Sequence, residues 1–227
     1  FNDEVLLRSK RGHTAADNIW AIQLLKGKGF TTGIHLMAGL PRDSPESFAE
    51  TVKKTIELRP DTVRIHPTIV LRDTFLAKDF REGRYRPLSL AEATDICKEA
   101  LKELKKAGIP VIRLGLQTTK ELEEPGAVVA GPFHPAFKSI VEGSLFLEMA
   151  ERLLHRFAGS RENIRFLVAL GDISNFQGMR RKNIAILEEG FGLQKIRVQT
   201  DPLLGRGSLA VTDGQIRLVT NFSGEIV

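Results

Sequence analysis

Cysteine is nearly absent, and Cys97 is the single thiol in 227 residues. One thiol excludes a disulfide within the chain and makes a reducing cytosol the natural compartment. It also excludes an iron–sulfur or Cys-ligated zinc site built from this chain alone. The five histidines have no Cys or His partner at ligand spacing, so no metal ligand is expected among them. No apolar run approaches the length of a membrane span, so no membrane partner is expected. The chain opens Phe1-Asn2-Asp3-Glu4 rather than with a basic and then apolar stretch, so no signal peptide is expected. It also lacks an initiator Met, the expectation for a piece that begins inside a longer protein. Acidic excess is missing too: net charge is +5 and pI about 9.4. That balance admits an anionic partner such as RNA. Lys and Arg are spread along the chain, which favours a solvated basic surface over a dedicated nucleic-acid stripe.

What is present is an alternation of helix and strand. Thr14 can cap a helix whose apolar face includes Ile19, Ile22 and Leu25 and which ends at Gly27 and Gly29. Residues 31–38 read as a buried strand. Ser44-Pro45 opens a second helix, with Ser as cap and Pro at the first position, where no N–H is needed. Its inner face is Phe48, Val52 and Ile56, and Arg59-Pro60-Asp61 breaks it. Val63 to Leu71 is rich in β-branched residues and reads as the next strand. After a longer connection, Ser89-Leu90-Ala91-Glu92 is a capping box. The helix it opens carries Ala93, Cys97, Ala100, Leu101 and Leu104 on one face, so Cys97 reads as a small core residue. Pro110 to Gln117 is a third strand. Strands joined through helices in this way are parallel, with right-handed crossovers.

From about residue 126 the style changes. Ala130-Gly131-Pro132-Phe133-His134-Pro135 is a rigid connection. A long helix follows with Phe137, Ile140, Val141, Leu145, Met149, Leu153 and Phe157 inward. Strands are expected at 164–170 and 195–200, with a helix from about Arg180 to Gly190 between them. Ser208–Thr212 and Gln215–Thr220 flank Asp213-Gly214, a type I′ hairpin signal. The expected division is a β/α segment over 1–125 and a small α+β domain over 126–227.

Few side chains announce chemistry on their own. Gly39-Leu40-Pro41 ends a strand before a capped helix, where Gly permits close backbone approach and Pro stiffens the exit. The alternative is an ordinary β–α turn. Arg11 precedes the Thr14 cap and could take a carboxylate bidentately, or simply be solvated beside Arg8 and Lys10. His35 sits mid-strand among apolar neighbours, as a satisfied core residue does. Arg64 and His66 lie two apart on one strand and therefore share a face.

The motifs in order resemble the radical S-adenosylmethionine (SAM) superfamily, in the branch of the Elongator catalytic subunit and oxygen-independent coproporphyrinogen III oxidase. Leu36-Met37-Ala38-Gly39-Leu40-Pro41 resembles the group's Leu-(Ile/Met)-x-Gly-Leu-Pro, and Asp61 to Pro67 resembles its Pro-Asp-x-(Val/Leu)-(Arg/Lys)-Ile-(Tyr/His)-Pro strand. Gly131 to Phe137 fits the Gly-Pro-x-His-Pro-Ala-Phe segment of bacterial Elongator-like iron–sulfur proteins. The resemblance implies an α/β fold, the second half of a partial β/α (TIM-like) radical SAM barrel followed by a small α+β C-terminal domain. It implies a cytoplasmic oxidoreductase that cleaves SAM to a deoxyadenosyl radical for an unknown substrate. It assigns Arg11 and His35 to the SAM site, and Gly39, Arg64 and His66 to the same cofactor-binding region. His35 departs from the coproporphyrinogen oxidases, which place an Asp there, and Arg42 replaces a frequent Gly. The Cys-x-x-x-Cys-x-x-Cys loop that holds the 4Fe-4S cluster is not in this sequence, so the ligands belong to an intact parent and this chain alone is expected to be inactive. Two alternatives stand beside this: a tRNA-binding module using helix 135–157 and Arg180-Arg181-Lys182, or a partner-binding C-terminal domain.

Overall fold

The computed structural model describes residues 1–226. The chain divides into two units, Phe1–Phe137 and the residues from Lys138 onward. The first unit holds α1 (Asp3–Arg8), α2 (Ala15–Gly27), β1 (Gly33–Ala38), α3 (Pro45–Leu58), β2 (Thr62–Pro67), β3 (Val70–Leu71), α4 (Phe75–Arg81), α5 (Leu90–Lys106), β4 (Val111–Leu114), α6 (Lys120–Glu123) and β5 (Val128–Ala130).

Its helix starts are written in side-chain oxygens. Thr14, Ser44 and Ser89 each cap a helix and each completes a reciprocal box, with Asp17, Ser47 and Glu92. Strands β1, β2 and β4 form a three-stranded sheet in the order β1-β2-β4, and both pairings are parallel. One face of this sheet is core: Ile34, Leu36, Ala38, Val63, Ile65 and Leu114 are all buried. The buried stripe of α5 is Ala93, Thr94, Cys97, Ala100, Leu101 and Leu104. Burial pushes the Cys97 thiol up to about 12, so it behaves as a small apolar residue.

Two expectations fail here. The strand expected over 63–71 is broken after Pro67: β3 leaves the parallel sheet and pairs antiparallel with β5. Pro67 supplies no N–H to carry the ladder on. Helix α2 buries none of its residues. Of its expected apolar face, Ile19 and Ile22 are half-buried and Leu25 is exposed, as are Trp20 and Leu24.

The second unit contains α7 (Phe137–Arg156, whose first residue closes the first unit), β6 (Arg165–Val168), α8 (Ile173–Gln177), α9 (Lys182–Phe191), β7 (Arg197–Thr200), β8 (Ser208–Thr212) and β9 (Arg217–Asn221). Its sheet runs β7-β6-β8-β9, parallel between β6 and β7 and antiparallel elsewhere. Phe146, Phe166 and Phe176 are fully buried at its centre. The hairpin does not close on a two-residue turn, because the register joins Thr212 to Arg217. Asp213 Oδ1 instead accepts from the N–H groups of Gln215 and Ile216, each at 2.9 Å, and this side chain shapes a wider loop. The helix expected from Arg180 begins at Lys182, because Arg180 and Arg181 both take left-handed backbone angles.

Candidate functional site

The side of the parallel sheet opposite the core carries the titratable groups. Alternation along β1 turns His35 and Met37 away from Ile34 and Leu36, and along β2 turns Arg64 and His66 away from Val63 and Ile65. The register then sets His35 beside Arg64 and Met37 beside His66. On the other flank Arg64 is level with Arg113 of β4. The face is therefore cationic. Arg11 Nη2 lies 2.6 Å from the Met37 sulfur, a weak acceptor. Arg113 Nη1 donates to Gln117 Oε1 at 2.6 Å. Among the described residues no carboxylate forms an ion pair with Arg11, Arg64 or Arg113.

His35 Nε2 and His66 Nδ1 are 2.7 Å apart, with the ring planes nearly perpendicular at 89°. One proton lies between the two nitrogens, so one ring donates and the other accepts. Desolvation first, then His35, Arg113 and Arg64, hold the His66 imidazole down at about 4. His35 is lowered too, by desolvation first and then by Arg64 and Arg11. Both rings are thus neutral near pH 7. The outer His66 nitrogen, Nε2, is buried and finds no partner among the described residues.

A cleft of about 380 Å³ runs beside β1, walled by α1, α2 and the start of α3. Arg11, His13, His35, Met37 and Asp43 contribute charged, ring and sulfur groups to it, beside the polar side chains of Asn2, Asn18 and Thr51. Arg11 and His35 thus line one cavity, and His35, Arg64 and His66 are contiguous on the sheet face. Gly39 does not line the cleft. It turns the chain at the end of β1 with φ +77°, its carbonyl accepts from the Tyr85 hydroxyl at 2.6 Å, and its N–H donates to Asp43 Oδ2 at 3.2 Å. A Cβ on Gly39 would stand 2.6 Å from Leu88 Cδ1. Arg42, where the family pattern often has Gly, adopts φ +66°.

Sequence reasoning missed Arg113, Gln117, Tyr85 and Asp43. Arg113 could not be placed because the β2–β4 register shifts between Val63 and Arg64, and nothing in the residue pattern marks that irregularity. Among the described residues no group of three or more His, Cys, Asp or Glu is placed to hold a metal. The residues present do not fit an iron–sulfur cluster, since Cys97 is the one thiol and is buried on α5. No helix among the described residues is long and apolar enough to cross a membrane.

Residues 60–146 match the radical SAM C-terminal domain family. Over these residues the chain is similar to the radical SAM proteins. The match runs from the start of β2 into α7. A tRNA uridine(34) acetyltransferase of Methanocaldococcus jannaschii is 36% identical over 107 residues, covering 46% of this chain and 20% of that protein. Protein YhcC of Escherichia coli K12 is 27% identical over 101 residues, covering 44% of this chain and 33% of its own length. Elongator complex protein 3 of Mus musculus is 30% identical over 102 residues, covering 44% and 19% respectively. The matched region spans a fifth to a third of the length of these proteins.

Proposed function

We propose that the first unit serves as the C-terminal part of a radical SAM β/α barrel, in a cytoplasmic oxidoreductase that cleaves SAM to a deoxyadenosyl radical. The observation that carries this reading is the parallel β1-β2-β4 sheet with His35, Arg64, His66 and Arg113 on its non-core face, beside a cleft that holds Arg11. In a β/α barrel that face turns inward and ligands meet the C-terminal strand ends. Among the described residues the Arg11 guanidinium has only a thioether for a partner, so a ligand carboxylate is a better acceptor for it. His35 offers a ring nitrogen to a hydroxyl and brings no fixed negative charge. These two residues would hold SAM, with Gly39 fixing the turn that follows β1. When bound with its cluster, SAM supplies a carbon-centred radical, and the protein's part is to position and enclose it. The neutral His35–His66 pair keeps the face free of acids that could protonate a bound ligand near pH 7. The 4Fe-4S ligands would come from a parent polypeptide, which leaves this chain alone without turnover.

The test is dithionite-dependent formation of deoxyadenosine from SAM by the longer protein, purified without oxygen and reconstituted with iron and sulfide, with this chain as control. Product from the longer protein alone supports the reading. A reconstituted protein with no cluster absorbance and no product refutes it.

A second reading, a tRNA-modification role, is favoured by relatives whose names carry tRNA uridine(34) and by the net charge of +5. Binding through phosphates must weaken steeply with salt. Absent or salt-independent tRNA binding rules it out.

A further inference from the structure

We propose that Arg64 and Arg113 form an anion subsite that takes a phosphate or carboxylate group of the substrate. The inference rests on reading this sheet face as the ligand side of the molecule, and it adds the chemical class of what binds there. The first observation is an irregularity. Val63 pairs with Val111, yet Arg64 pairs with Arg113, so Ile112 is an extra residue that β2 does not match. In an unbroken ladder Arg64 would stand opposite Ile112. The bulge discards a ladder position, leaves Ile112 half exposed at 52%, and re-aims Arg113 beside Arg64. Like charges directly opposite one another on a sheet are destabilising. A local distortion that creates such a pair works against folding, and departures of this kind gather at functional positions.

The second observation is the missing counter-charge. Arg64 has no ion-pair or hydrogen-bond partner among the described residues, and Arg113 is held by the neutral amide oxygen of Gln117. Neighbouring strands lie about 4.8 Å apart, so two guanidinium groups at one level can converge on a single oxyanion. His66 stands two residues on from Arg64 on the same face, with Nε2 buried and unpartnered. The charged and titratable groups acting on His66 are His35, Arg113 and Arg64, with Arg64 and Arg11 acting on His35, and Asp43 lies in the adjoining cleft beside Arg11 and His35.

Sulfate is a suitable probe because it stays ionised across the pH range in which the histidines titrate. The His66 ring would be followed by NMR in this chain, with sulfate against chloride at equal ionic strength. Sulfate should raise the His66 pKa from about 4 by about one unit, the effect of an opposite charge placed nearby. Arg64→Gln and Arg113→Gln should each weaken sulfate binding by about tenfold. Lys195→Gln, at an exposed position of the second unit, should leave it unchanged. Without sulfate, both variants of the pair should melt at a higher temperature than the parent, which residues of purely structural use would not do. Arg64 is exposed, so its variant keeps the fold whatever Arg113→Gln does. A sulfate response no larger than that of chloride, or one that survives both substitutions, overturns the subsite. The assay needs neither SAM nor a cluster, so its failure is distinct from failure of the deoxyadenosine test.

Discussion

Gly39→Ala tests whether the turn after β1 is set by packing inside the first unit. Two costs are visible. The residue sits at φ +77°, where an L side chain is disfavoured by roughly 1–2 kcal/mol. The new Cβ would also lie 2.6 Å from Leu88 Cδ1 and 2.7 Å from Leu88 Cγ, so Leu88 must move. Displacing a well-packed side chain costs about 1–3 kcal/mol, and Leu88 is only half-buried, which favours the lower end. The sum is about 3 kcal/mol. Tyr85 is the single tyrosine and its hydroxyl donates to the Gly39 carbonyl, so its absorbance band reports this turn directly during urea unfolding. Leu88→Ala removes the steric part but not the backbone part. The double variant should therefore cost about 1–2 kcal/mol less than the two single changes added together. A Gly39→Ala cost below about 0.5 kcal/mol would refute the reasoning. Strict additivity would show that Leu88 is not the obstacle.

Arg42→Gly should raise the stability of the first unit by up to about 1 kcal/mol in urea melts, because Arg42 holds φ +66°. The His35–His66 pair has a depressed folded pKa, so the stability it contributes is complete above about pH 6.5 and is lost as pH falls towards 4. After allowance for solvent screening the loss is of order 1 kcal/mol, and His66→Phe should reduce it to the share that His35 retains through desolvation, Arg64 and Arg11. Arg11→Ala should weaken equilibrium binding of SAM by about tenfold if this side chain takes the ligand carboxylate. Asp172, buried in the second unit, accepts from the Gly207 N–H at 2.7 Å and pairs with Arg206. Asp172→Ala leaves a buried donor unpaired and should cost about 2–3 kcal/mol in that unit's unfolding.

Helix starts were legible because each depends on one local oxygen. Thr14, Ser44 and Ser89 sit at the caps that their spacing predicts, and the Ser89–Glu92 box closes with bonds of 2.7 and 3.2 Å. The parallel order of the three main strands was legible from the helices between them. What failed depends on partners far away in sequence. Pattern alone read 63–71 as continuous, yet Leu71 pairs with Val128 across the turn of the chain. The Asp213-Gly214 pair pointed to a tight turn, but Thr212 Oγ1 donates to the Ile216 carbonyl at 2.7 Å and holds four residues in the loop. Helix α2 shows the same limit in reverse: its apolar spacing is helical, yet its neighbours cover Ile19 and Ile22 only in part and leave Leu25 exposed.

The candidate site divides along the same line. Arg64 and His66 share a face by the two-residue period of a strand, which needs no tertiary knowledge. Arg113 joins them only through a bulge, and a bulge is invisible to periodicity because it is a break in it. Its effect is also the reason to attend to it. A regular ladder would have put the apolar Ile112 beside Arg64, a harmless neighbour for a solvated cation. The chain instead sets a second guanidinium there and, among the described residues, pairs no acid with either. Burial and charge then depress both histidines, so the face keeps its fixed positive charge from the arginines while the rings stay neutral. Arginine charge does not titrate in the physiological range, whereas the ring pair does below about pH 6.5. An anion arriving between Arg64 and Arg113 would therefore meet a site whose charge is constant near pH 7, and on binding would itself draw a proton toward His66.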